Sequence, residues 1–172
     1  ETMQSITVTV GDSTMSGIEG MATYNYSDTL TFTASLGFLD AEFADNTSDG
    51  SPFQYGGNKF RLAPEVSGAI NINKVVHFDN WTMDVNWLTS FQSEVFFESS
   101  NYPGMSQDTY SLTDFSLKLN RESSEFAYEF YVNNLFDKEF LIDAGNTGGG
   151  IGIPTFVRGM PRIAGVRLYY AF

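Results

Sequence analysis

The sequence predicts an all-β protein, specifically an antiparallel transmembrane β-barrel fold with about seven, or with residues 1–10 eight, strands. Three observations predict it: stretch after stretch of strict apolar–polar alternation, connections that are short and long by turns, and many aromatics without any long apolar run. The 172 residues suffice for one domain. Aromatics make up 16% and charged residues only 17%, too apolar a balance for a disordered acidic chain. The longest run of A/V/I/L/M/F/W/Y is the five residues from Leu168 to Phe172. A membrane-crossing helix needs about 20 mostly apolar residues, so strands are the remaining way across a bilayer.

The first predicted strand sets Ile18, Gly20, Ala22, Tyr24 and Tyr26 against Glu19, Met21, Thr23 and Asn25. In the second, Leu30, Phe32, Ala34, Leu36 and Phe38 alternate without error with Thr29, Thr31, Thr33, Ser35 and Gly37. A period of two means one greasy and one wet face. Val66, Gly68, Ile70 and Ile72 begin the third, against Glu65, Ser67, Asn71 and Asn73, with Ala69 a mild exception. The fourth carries Trp81, Met83, Val85, Trp87 and Phe91 opposite Thr82, Asp84, Asn86, Ser90 and Gln92, with Leu88 and Thr89 out of pattern. Phe115, Leu117 and Leu119 mark the fifth, and Phe126, Tyr128, Phe130 and Val132 the sixth. The seventh has Ala164, Val166, Leu168, Tyr170 and Phe172 on one face, Gly165, Arg167 and Tyr169 on the other. Residues 1–10 either extend the first strand or form an eighth.

Short polar turns are expected at Ser27-Asp28, 74–80 and 121–125, and long Gly/Asn/Ser/Pro-rich segments at 41–57, 94–107 and 137–161. Strands of about ten residues joined by short turns at one end and long loops at the other are the outer-membrane barrel pattern. A soluble β-sandwich shares the alternation. The wet face here is too polar to fill a sandwich core, and the greasy face carries aromatics at strand ends, as interfacial girdles require.

The net charge of −12, with no basic cluster, argues against nucleic acid as a partner. The absence of Cys excludes disulfides, thiolate metal sites and a cysteine nucleophile. His77 is the sole imidazole and falls in the expected turn 74–80, so neither a Ser/His hydrolase nor a His metal site is expected, and no cofactor is implied. Asp40, Glu42, Asp45 and Asp49 fit no calcium-loop spacing and read as a solvated acidic loop. Gly148-Gly149-Gly150 with Gly152 opens no helix and lacks the Gly-Lys-Ser/Thr of a phosphate cradle. Asn46-Thr47-Ser48 and Asn80-Trp81-Thr82 match the glycosylation triplet by chance. No signal peptide follows Glu1, so either a targeting segment has been removed or the chain is cut from something longer.

The wet face carries the charges. Glu19, Glu65, Asp84, Lys118, Glu129 and Arg167 are expected to face the lumen, where they contact either a plug or water. A hairpin closing between Arg121 and Phe126 sets Lys118 opposite Glu129. The loops offer acids, the bases Lys138 and Arg158, and the aromatics Phe53, Tyr55, Phe96, Phe97, Tyr102 and Phe156, which either stack on a ligand or anchor the loops.

The ending, with Val166, Leu168, Tyr170 and the terminal Phe172 on one face, resembles the C-terminal signature by which the barrel-assembly machinery recognises bacterial outer-membrane proteins. The run Tyr131-Val132-Asn133-Asn134-Leu135-Phe136-Asp137-Lys138-Glu139-Phe140 resembles a penultimate-strand motif of the TonB-dependent receptors, and Pro161-Arg162 leading into Phe172 resembles their closing strand. Ser16-Gly17-Ile18-Glu19-Gly20, Leu36-Gly37-Phe38-Leu39-Asp40-Ala41-Glu42-Phe43 and Leu62-Ala63-Pro64-Glu65 are similar to barrel segments of that family in the same order, Gly20 being a departure. The resemblance implies a barrel of about 22 strands with a plugged lumen. Residues 1–172 are then the C-terminal part of the barrel domain, without the plug that carries the TonB box.

It further implies a bacterial outer-membrane location and uptake of a scarce ligand such as a ferric siderophore. The partners would be outer-membrane lipid, the plug and remaining strands of the same receptor, and the TonB complex acting through the plug. An anionic ferric siderophore would want a basic cluster, and none is visible in these loops. The alternative is a self-contained eight-stranded barrel with a structural or adhesive role, which requires residues 1–10 to form a strand.

Overall fold

The computed structural model describes residues 12–44, 55–145 and 153–171. These form eleven strands: β1 (Ser13–Ser27), β2 (Leu30–Phe43), β3 (Val66–Phe78), β4 (Trp81–Gln92), β5 (Val95–Phe96), β6 (Ser106–Gln107), β7 (Tyr110–Arg121), β8 (Phe126–Asn133), β9 (Leu141–Gly145), β10 (Thr155–Arg158) and β11 (Ile163–Tyr170). Seven make one antiparallel sheet in the order β1-β2-β3-β4-β7-β8-β11, so the seven expected strands are present and neighbours in sequence are neighbours in space. The remaining four pair as two small hairpins, β5–β6 and β9–β10. Residues 1–10, the proposed extra strand, lie outside the described residues.

Register converts the local alternation into two continuous surfaces. Tyr24, Phe32, Ile72, Trp87, Phe115, Val132 and Ala164 are successive partners, an unbroken apolar row across all seven strands. One residue along, on the opposite face, the row reads Asn25, Thr31, Asn73, Asn86, Ser116, Tyr131 and Gly165. A slip of one residue in any strand would exchange the faces, so the pattern specifies the register strongly. The apolar face is left uncovered: Phe130 is 49% exposed, Leu168 60% and Val166 63%. A β-sandwich would lay a second sheet over it. The sheet is also open, since among the described residues β1 pairs only with β2 and β11 only with β8.

The connections differ from expectation in two respects. The segment 74–80 is not a turn: β3 runs to Phe78, β4 begins at Trp81, and only Asp79 and Asn80 reverse the chain. Asp79 takes φ of 48°, a left-handed conformation that a short polar side chain tolerates. The strand outruns the alternation seen in sequence because Lys74 interrupts the apolar series. Lys74 shares the apolar face with Ile72 and Val76, and its Nζ donates to Thr29 Oγ1 (2.8 Å) in the β1–β2 turn. Neighbouring turns are staggered, so a residue four positions from its own strand end lies beside the turn next door. A lysine on a lipid face costs about 2–4 kcal/mol at the midplane but roughly 0–1 near an interface.

Consequently His77 sits on β3, with Nδ1 3.1 Å from Thr82 Oγ1 on β4, and not in a turn. The second difference concerns the long segments. The hairpins β5–β6 and β9–β10 stand inside 94–107 and 137–161, and β2 continues into 41–57 as far as Phe43.

Deep burial is concentrated at one end of the sheet, mostly in the loops. Val95, Phe97, Met105 and Ala144 are buried together, with Leu141 packed against them. The hairpins thus share a small core of their own at the long-loop end, which supplies most of the buried apolar side chains among the described residues.

Candidate functional site

Two assemblies carry the polar chemistry, one on the wet face of the sheet and one in the loops.

On the wet face, Asp84 of β4, Lys118 of β7, Glu129 of β8 and Arg167 of β11 are successive register partners. Four strands therefore contribute one row of alternating sign, and Lys118 stands opposite Glu129 as the hairpin expectation had it. Opposite charges directly across a strand pair are mutually favourable. Glu129 is the hub: its Oε2 accepts from Arg167 Nη1 (3.0 Å) and from the Tyr169 hydroxyl (2.5 Å). Lys118 Nζ lies 4.7 Å from the centre of the Tyr169 ring, and the Arg167 guanidinium lies 3.9 Å from that of Tyr131. Gly165 makes the second contact possible, because a Cβ there would come within 2.6 Å of the Tyr131 hydroxyl. The result is a braced surface of two cations, one shared carboxylate and two aromatic rings.

Glu19 faces Gly37 from the edge strand β1. Glu65 belongs elsewhere: it precedes β3, pairs with Lys59, and its carbonyl accepts from the Leu39 N–H (2.9 Å). It marks the rim where strand passes into loop. Val166, Leu168 and Tyr170 lie on the apolar face of β11, and the Tyr170 ring packs 4.9 Å from Phe126 at the turn end. Phe172 lies outside the described residues, as do Asp45, Asp49, Phe53 and the 148–150 glycines. Asp40 and Glu42 extend β2 opposite Ser16 and Thr14.

The loops form a cap held by cross-connections. Asn58 Nδ2 donates to the Ser99 carbonyl (2.8 Å), Asn101 Oδ1 accepts from the Lys59 N–H (2.7 Å), and the Leu62 N–H donates to the Phe96 carbonyl (2.8 Å). The Leu141 N–H donates to Gln107 Oε1 (2.6 Å), and Tyr110 stacks on Phe140 at 4.8 Å. Phe97, expected either to stack on a ligand or to anchor the loops, is 2% exposed and is an anchor; Tyr102 is 63% exposed. Arg61, Phe97, Glu98, Asp143, Thr155 and Val157 help line an open cavity of about 300 Å³ between the hairpins. Lys59 and Arg61, just beyond the expected segment 41–57, add to the loop bases Lys138 and Arg158. Lys59 is paired with Glu65, and Arg158 with Glu139 (3.7 Å).

Asn134 organises the base of the last loop. It is 5% exposed, with φ of 50°. Its backbone N–H donates to Asp114 Oδ1 (2.8 Å), its Oδ1 accepts from the Lys138 N–H (2.8 Å), and its Nδ2 donates to the Lys138 (2.9 Å) and Met160 (3.2 Å) carbonyls. Asp137 Oδ1 then accepts from the Arg162 N–H (2.9 Å). The Asn-Leu-Phe-Asp-Lys and Pro-Arg segments singled out in the sequence are thus two halves of one clasp, joining the ends of the 134–162 loop. The signal that identified them carried no information about this contact.

Among the described residues no group of three or more His, Asp or Glu is placed to hold a metal ion. No family model and no curated protein matches this sequence. Solved structures do match. The ferric yersiniabactin uptake receptor FyuA of Yersinia pestis aligns with a TM-score of 0.82 at 19% identity, covering 93% of this chain and 24% of that one. The ferric preacinetobactin receptor BauA and the siderophore receptor PiuA, both of Acinetobacter baumannii, align with TM-scores of 0.72 and 0.70 at 15% and 18% identity. They cover 92% and 91% of this chain, and 22% and 21% of theirs. The chain spans about a quarter of the length of the structures that it matches. Its seven-stranded sheet has the fold of a sector of a TonB-dependent receptor barrel.

Proposed function

We propose that the chain is the C-terminal sector of the barrel of a TonB-dependent receptor in a bacterial outer membrane, and that the whole receptor takes up a scarce ligand such as a ferric siderophore. The observation that carries this reading is an open sheet of seven strands, apolar on one uncovered face, whose fold follows that of a siderophore uptake receptor over 93% of the chain. The apolar face meets lipid, and the row Asp84–Lys118–Glu129–Arg167 lines the lumen. Lumen charges braced on one another present fixed hydrogen-bonding groups to a plug and its surrounding water, without the cost of an unpaired buried charge. The loop cap lies on the side from which ligand arrives, and the TonB complex acts through the plug.

An antibody against residues 137–161, used on outer-membrane fractions, tests the reading through the mass of the parent protein. A species of roughly four times this length that is induced by iron limitation, and whose deletion abolishes growth on a ferric siderophore, is the expected result. A species near 19.1 kDa would replace the receptor with the small closed barrel.

A further inference from the structure

Among the strand residues of the large sheet, only two basic side chains lie on the apolar face, Lys74 and Arg121. Both are at the short-turn end. Lys74 Nζ is held by the Thr29 hydroxyl, and the Arg121 guanidinium lies 5.9 Å from the centre of the Trp81 ring. Neither makes an ion pair among the described residues. A hydroxyl and an aromatic ring orient a cation but leave its charge uncompensated.

One layer further out, the turns themselves are acidic. Asp28 directly precedes Thr29, Asp79 precedes Asn80 and Trp81, and Glu122 follows Arg121, its N–H donating to the Asn80 carbonyl (2.7 Å). All three acids are exposed and none is in an ion pair among the described residues. The same arrangement therefore occurs twice, at the β1–β2 turn and where the β3–β4 and β7–β8 turns meet. In each, a cation on the apolar face is followed, one or two residues or roughly 3–7 Å outward, by one carboxylate (Asp28) or two (Asp79 and Glu122).

That sequence of charges is the complement of a zwitterionic phospholipid whose phosphate lies next to the acyl chains and whose ammonium lies outside it. We propose that the turn end of the apolar face binds aminophospholipid headgroups, with phosphate on Lys74 and Arg121 and ammonium on Asp28, Asp79 and Glu122. The ammonium must carry N–H donors, since a trimethylated headgroup offers the carboxylates none. A purely anionic headgroup gains the cations but meets repulsion from the acids. The inference rests on the reading that the apolar face meets lipid.

The test uses the intact polypeptide that contains these residues, purified in detergent and analysed by native mass spectrometry. It is offered equimolar phosphatidylethanolamine, phosphatidylcholine and phosphatidylglycerol of identical chains. Phosphatidylethanolamine is expected to be retained about tenfold over phosphatidylcholine, the value of one charge-assisted hydrogen bond. Lys74→Gln with Arg121→Gln lowers retention of phosphatidylethanolamine and phosphatidylglycerol together. Asp28→Asn, Asp79→Asn and Glu122→Gln combined remove the preference for phosphatidylethanolamine and leave phosphatidylglycerol unchanged or better bound.

Equal retention of phosphatidylethanolamine and phosphatidylcholine by the unsubstituted protein overturns the proposal, as does a preference for phosphatidylglycerol. Heat-modifiable gel mobility reports folding. If a variant is unfolded, the wild-type ratio alone decides. A folded barrel without lipid preference sinks this inference only, whereas absence of the polypeptide from outer membranes removes the receptor reading as well.

Discussion

Replacing Asn134 with Ala removes the clasp at the base of the last loop while leaving every sheet hydrogen bond in place. The side chain accounts for three hydrogen bonds: to the Lys138 N–H, the Lys138 carbonyl and the Met160 carbonyl. Each is worth about 1 kcal/mol net, and more where the abandoned group stays dry. Ala at φ of 50° adds about 1 kcal/mol, because its Cβ crowds the following carbonyl where Asn compensates locally. The sum, about 4 kcal/mol, is about a thousandfold in an opening equilibrium. It falls on the loop and not on the barrel, since stability is distributed unevenly and the loop opens on its own. Hydrogen exchange on the intact protein in detergent measures it directly. The Lys138 amide and the amides of β9 are expected to exchange up to about a thousandfold faster, while those of β3, β4 and β7 keep their protection. Asn134→Gly keeps the backbone conformation and loses only the bonds, so it recovers about 1 kcal/mol of the effect. Unchanged exchange at Lys138 and through β9 in the Ala variant would refute the clasp.

Phe97→Ala opens the shared core of the cap, where a buried Phe is worth about 3–5 kcal/mol, and protease should then cut both hairpins. Cleavage confined to the β5–β6 hairpin would show that the hairpins are independent. Gly165→Val drives the Tyr131 ring off the sheet and should lower barrel stability by about 1–3 kcal/mol in urea titrations of the intact protein, with no loss when Tyr131→Ala is already present. Glu129→Gln replaces the carboxylate shared by Arg167 and Tyr169 with a neutral amide, which removes the charge assistance from both bonds and lowers the urea midpoint. Adding Arg167→Gln should cost little more, because the pair acts as one unit; full additivity would mean that the two do not interact.

Alternation along single strands, the aromatic content and the short–long succession of connections were local properties, and they determined by themselves that this chain makes an antiparallel sheet with one greasy face. Leu30 through Phe38 needed no partner to declare its two faces, because side chains two apart on a strand always share one. Even the opposition of Lys118 and Glu129 was legible, since a tight hairpin makes register a matter of counting. Tertiary structure decided what depends on residues distant in sequence. Arg167 reaches Glu129 only because β11 returns beside β8 after the long loop, and Asn134 meets Met160 only because that loop closes on itself. The small hairpins leave no pattern in the sequence, because strands of two to five residues are too short to establish a period. Lys74 looked like the start of a turn because it broke the apolar series. What keeps it on the greasy face is the stagger between neighbouring strands, which brings Thr29 alongside, and stagger is a property of the sheet and not of any strand within it.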